Sequence, residues 1–94
     1  MKCMVCGSAG TDVHEISSGT AGRPLSEGEP ATWLLACWRC NCGPLTDKLE
    51  WPVARQLALK FIADGKHFDL ERFNACYTLG SVGMEDIRQW LTVR

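Results

Sequence analysis

Two cysteine pairs constrain this chain more than any other feature of its sequence. Cys3 and Cys6 form one Cys-x-x-Cys, and Cys37 and Cys40 form a second after thirty intervening residues. Each pair is short enough for a single tight turn to aim two thiolates at one point. Two such turns supply the four sulfur ligands of a closed, tetrahedral zinc site. A redox pair or a set of buried thiols is the competing use of such residues. The intervening stretch is longer than in most zinc ribbons, but each turn is built locally, so the insert only has to leave the metal and return. In a chain of 94 residues the staple matters, because a core of that size stabilises modestly and a structural zinc adds on the order of 10 kcal/mol. With no open coordination position, that zinc does no chemistry of its own.

Disulfides are the other familiar use of six cysteines, and they belong to oxidising compartments. The opening stretch MKCMVCGSAGTDVHEI has neither an apolar h-region nor a small-residue cleavage pattern, so the expectation is a reduced, cytoplasmic chain. No run approaches the roughly 18 apolar residues of a membrane helix, so no membrane partner is expected. Cys42 lies two residues past Cys40 and Cys76 sits on an apolar helical face, which predicts that neither is a ligand. The formal charge of -1, from 10 basic and 11 acidic side chains, is not the basic footprint that drives tight binding to a phosphate backbone. It still admits an enzyme that meets DNA locally through a bound cation.

The composition changes near Asp47. Before it, TDVHEI and ATWLLAC read as two short strands, separated by SSGTAGRPLSEGEP, a loop by its glycines, serines and prolines. After it, Pro52 suits the first position of a helix in which Val53, Ala54, Leu57, Ala58, Phe61 and Ile62 recur at three and four residues before Gly65,. Asp69 is a candidate N-cap for a second helix carrying Leu70, Phe73 and Cys76. Ser81 or Gly83 opens a third carrying Ile87, Trp90 and Leu91,. These stripes are read as core packing. The whole, residues 1–94, is expected to be one domain, with a zinc-framed core over 1–47 and a helical extension over 48–94.

A His-bearing strand inside a cysteine frame, with Asn41 directly behind the last cysteine, resembles the HNH (ββα-metal, His-Me finger) endonuclease family over residues 3–47. Cys40-Asn41 and the phrase CNCGPLTD resemble the phage recombination endonucleases, whose helix begins Cys-Asn. The resemblance implies a small α+β fold: a zinc-stabilised, treble-clef-like ββα-metal core, followed here by two or three C-terminal helices. It also implies metal-dependent hydrolysis of DNA phosphodiesters, in a phage or mobile-element setting. Asn41 is then the helix-borne ligand of a second cation, its neutral hard oxygen suiting Mg²⁺ or Mn²⁺.

Two assignments of the strand residues are open. In one, His14 holds the catalytic metal and Glu15 activates water. In the other, His14 is the base and Asp12 or Glu15 holds the metal. Strand alternation puts His14 and Asp12 on one face and favours the second. Arg23 and Arg39 are candidate phosphate contacts. The family's middle asparagine has no counterpart, its approximate place being taken by Thr32 and Trp33. That gap and the near-neutral charge point to an alternative, a catalytically inactive zinc-binding module that binds nucleic acid or a protein partner. A third reading is a structural adaptor that docks through Trp51, Phe61 and Trp90. The plainer roles are a structural hydrogen bond for His14, helix capping for Asn41 and solvated surface positions for the arginines.

Overall fold

A computed structural model describes residues 1–10, 12–16, 28–77 and 79–92. It begins with a tight turn. Lys2 bridges to Ala9, the Cys3 amide donates to the Ser8 carbonyl at 2.6 Å and the Gly7 amide donates to the Cys3 carbonyl at 2.9 Å. Gly7, directly behind Cys6, has a φ of 80°, a left-handed conformation that costs glycine nothing. Gly10 lies so close to the turn that a Cβ there would sit 2.8 Å from the Cys3 nitrogen, which bars a side chain.

Strand β1, Asp12–Glu15, pairs antiparallel with β2, Trp33–Ala36, placing His14 opposite Leu34 and Glu15 opposite Trp33. The Met4 amide donates to the Leu35 carbonyl at 3.0 Å, docking the first cysteine turn on β2. A 3-10 turn, Pro30–Thr32, feeds the chain into β2, with Glu29 accepting from the Ala31 amide. Helix α1, Trp38–Cys42, starts at once after β2 with Cys37 as its N-cap. The first is the strand that the alternation of TDVHEI predicts, and the second falls in the apolar run ATWLLAC. Most of the loop between them lies outside the described residues, and Arg23 with it.

Beyond Asp47, whose carboxylate accepts from the Leu49 and Glu50 amides, three helices follow. Helix α2, Val53–Asp64, begins after Pro52 and stops at Gly65, where φ turns to 57°. Helix α3, Leu70–Cys76, is capped by Asp69, which accepts from the Arg72 amide at 3.0 Å. Helix α4, Met84–Thr92, is entered through Gly83, whose amide donates to Asp86 at 3.1 Å. The fold class is thus a small α+β structure with a two-stranded sheet and four helices among the described residues. No helix in the described residues is long and apolar enough to cross a membrane.

One face differs from its sequence reading. The buried residues of α2 are Gln56, Leu57, Ala58 and Lys60, while Ile62 is 47% exposed. Polar groups go inside only where partners wait. Lys60 finds Asp64 at 2.9 Å, and Gln56 meets the strand histidine described below. The core runs through both sides of Asp47: Cys3, Ile16, Leu34, Ala36 and Cys40 pack with Leu45, Leu57, Ala58, Phe73, Val82 and Ile87. At its edge Arg72 of α3 reaches Glu29 at 3.0 Å.

Candidate metal centre and the His14 cluster

The hairpin turn and the start of α1 bring four sulfurs together. The Sγ atoms of Cys3, Cys6, Cys37 and Cys40 all lie within 4.8 Å of one another, and those of Cys6 and Cys37 are 3.7 Å apart. Four sulfurs about 2.3 Å from a tetrahedral zinc stand about 3.8 Å from each other. A disulfide needs about 2.05 Å, and all six cysteines are free. The geometry therefore fits a metal ion held by four cysteines. Cys42 and Cys76 stand outside the group.

The thiols are poised unequally. Burial works to raise Cys3, but the backbone amides of Cys6, Cys37 and Val5 outweigh it and lower the thiol to about 6. One of these contacts is the Val5 amide donating to the Cys3 sulfur at 3.4 Å. Cys37 is also lowered, first by the Cys40 backbone amide. Cys40 is pushed up to about 12 by burial, by hydrogen bonds with its fellow thiols and by the charge of Cys3. Four thiolates within 4.8 Å of one another, two of them buried, repel unless a cation neutralises them. A bound divalent ion removes that conflict by deprotonating its thiol ligands.

One residue past Cys40 a second cluster begins. Asn41 is held in the first turn of α1, its amide donating to the Cys37 carbonyl at 2.9 Å. Its side-chain Oδ1 lies 2.8 Å from Nδ1 of His14. His14 is only 6% exposed, and its Nε2 lies 2.8 Å from Oε1 of Gln56. Gln56 is fully buried and donates from its own Nε2 to the Trp51 carbonyl at 2.8 Å and to the Leu45 carbonyl at 3.5 Å. Burial lowers the pKa of His14, against the pull of the hydrogen bonds to Asn41 and Gln56. The charge of Lys48 lowers it further and that of Glu15 raises it.

Sequence reading pairs His14 with Asn41, and the fold brings them together. Asp12 and Glu15 are half-buried positions of β1, and Arg39 is exposed between the cysteines. Thr32 is buried, its hydroxyl donating to the Glu29 carbonyl at 2.8 Å. Trp51 and Trp90 flank the Arg55 guanidinium at 3.7 and 5.2 Å, and Phe61 meets Phe68 edge-on at 5.2 Å. These aromatic residues already have contacts within the chain. Gln56 and Lys48 escape the sequence reading altogether. For Gln56 the available signal is a polar side chain next to Leu57 on the stripe that faces the core.

Compared with protein-family models, with curated proteins and with solved structures, the chain matches none.

Proposed function

We propose that this chain is a small zinc-stabilised nuclease of HNH-like type, with a treble-clef-like core, that hydrolyses DNA phosphodiesters with a second divalent cation. One observation carries the reading: His14 Nδ1 and Asn41 Oδ1 face each other at 2.8 Å, directly beside the four-cysteine cluster. Neighbouring ligands on an octahedral ion with bonds of about 2.1 Å stand about 3.0 Å apart, close to that separation. The neutral amide oxygen of Asn41 is a hard donor that suits Mg²⁺ or Mn²⁺. Such an ion, when bound, stabilises the negative charge that develops on the phosphodiester oxygens.

The geometry supports the first of the two strand assignments. A general base needs a nitrogen free to take a proton from water. His14 is only 6% exposed, and its two ring nitrogens face Asn41 Oδ1 and Gln56 Oε1 rather than open solvent. His14 is therefore read as the cation ligand, which leaves Glu15, on the opposite face of β1 by strand alternation, as the remaining carboxylate base of that assignment. Water gives its proton to the Glu15 carboxylate as its oxygen attacks phosphorus, and the bond to the leaving oxygen breaks. Arg39, exposed on α1, is read as a contact for a flanking phosphate,. The same engaged histidine favours the second reading, an inactive zinc-binding module whose His14 serves only as an internal hydrogen-bond partner.

Incubation with supercoiled, branched and single-stranded DNA across Mg²⁺, Mn²⁺ and Ni²⁺ separates the two. Cleavage only with added cation, lost in His14→Ala with zinc retained, is the expected result. Absence of cleavage on every substrate leaves the inactive module.

A further inference from the structure

We propose that Gln56, on the first turn of α2, is the positioning residue that decides which nitrogen of His14 is open to a cation. The inference rests on the reading of His14 as a cation ligand and adds the residue that aims it.

The orientation of the Gln56 amide is settled by its neighbours. Two backbone carbonyls, those of Trp51 and Leu45, face its Nε2 at 2.8 and 3.5 Å. A carbonyl accepts and never donates, so the NH2 end must point at them and the oxygen must point at His14. Gln56 Oε1 accepts from the ring nitrogen 2.8 Å away, which fixes the proton of a neutral His14 on Nε2. Nδ1 then carries a bare lone pair directed at Asn41 Oδ1, 2.8 Å distant, which is also an acceptor. Two lone pairs facing at that distance repel, unless one cation binds both, the ring takes up a second proton on Nδ1, or the Asn41 amide turns over to donate. A histidine that binds a metal through one nitrogen and donates its other N–H to a fixed acceptor follows the usual arrangement of outer-shell support. Full burial of Gln56 and saturation of both ends of its amide leave it no alternative pose. The aim of a strand residue is thus set by a helix that lies 42 positions further along the chain.

The experiment reads the tautomer of His14 by ring ¹⁵N chemical shifts at neutral pH, in the zinc-loaded chain of residues 1–94. A His67→Gln background leaves His14 as the remaining imidazole of the two in the sequence. Wild type is expected to carry its proton on Nε2. Asn41→Ala should keep that tautomer, because Gln56 sets it. Gln56→Leu should move the proton to Nδ1, where it donates to Asn41, and Mn²⁺ affinity by titration calorimetry should fall about 10- to 100-fold. A wild-type proton on Nδ1, or a tautomer that reverses in Asn41→Ala, overturns the proposal. So does an unchanged tautomer in Gln56→Leu. If Gln56→Leu fails to fold, wild type and Asn41→Ala still decide the question. Failure of wild type to bind Mn²⁺, with the Nε2 proton in place, sinks the nuclease reading and upholds the assignment of Gln56, so the two failures are distinguishable.

Discussion

The sulfur cluster and the His14 cluster meet at one peptide bond, between Cys40 and Asn41, yet they are built in opposite ways. The sulfur cluster comes from two short turns, each of which places its own pair of ligands. The His14 cluster takes one residue from β1, one from α1 and one from α2, and nothing local holds them together. A site made of local turns survives changes elsewhere and shows itself in residue spacing. A site at the junction of three elements depends on how they dock, so it can be broken from a distance.

The largest effect expected is on the sulfur side. Cys3→Ser or Cys40→Ser should remove a staple contributing on the order of 10 kcal/mol, so soluble yield and bound zinc collapse together. Elemental analysis with circular dichroism checks this, and a well-folded, zinc-free variant would contradict the four-sulfur assignment. His14→Ala sharpens the contrast: zinc and fold should remain while metal-dependent cleavage drops to background. Its melting temperature should still fall, since the buried Gln56 oxygen loses its donor at a cost of about 1–3 kcal/mol. Asn41→His is milder, because imidazole can replace the amide oxygen as a ligand. Cleavage should persist and shift toward Mn²⁺ or Ni²⁺. Glu15→Gln tests the base, and a small loss there would return that role to His14. Cys42→Ser should keep zinc and stability, being outside the group of four.

The smallest effect lies away from both clusters. Arg72 holds the Glu29 carboxyl below its ordinary range, mainly through their hydrogen bond. A depressed carboxylate stabilises the fold above its unfolded value of about 4.3, and that contribution fades as pH falls below it. Arg72 is largely solvated while Glu29 is half-buried, so the effect is slight,. Glu29→Gln should lower the melting temperature a little near neutrality, and the gap from wild type should close in acid.

How much of this was legible follows the same division. Cys3, Cys6, Cys37 and Cys40 declare themselves by spacing, because turn geometry translates directly into separation along the chain. Asp69 and Gly65 mark helix ends for the same local reason. His14 and Asn41 could be paired only through the family resemblance. Gln56 was invisible, since a polar residue next to Leu57 reads as the solvent side of α2 until β1 is docked against it. Of the stripe read from the periodicity, Leu57 and Ala58 lie in the core, and Val53, Ala54 and Phe61 pack against it. Ile62 turns outward because the buried arc of α2 extends instead over Gln56 and Lys60, whose partners come from other elements or the next turn.

Asn41 directly follows Cys40, and this has a thermodynamic consequence. Zinc bound at the sulfurs would fix the first turn of α1, and so preorganise the amide that a second cation would use. Linkage is reciprocal: whatever factor zinc contributes to the second affinity, the second cation returns to zinc. In a partly zinc-depleted sample only the zinc-loaded fraction is competent, and the apparent dissociation constant for Mn²⁺ rises in inverse proportion to it. A chelator that never touches the His14 cluster would still weaken it, and added Mn²⁺ would raise the equilibrium affinity for zinc.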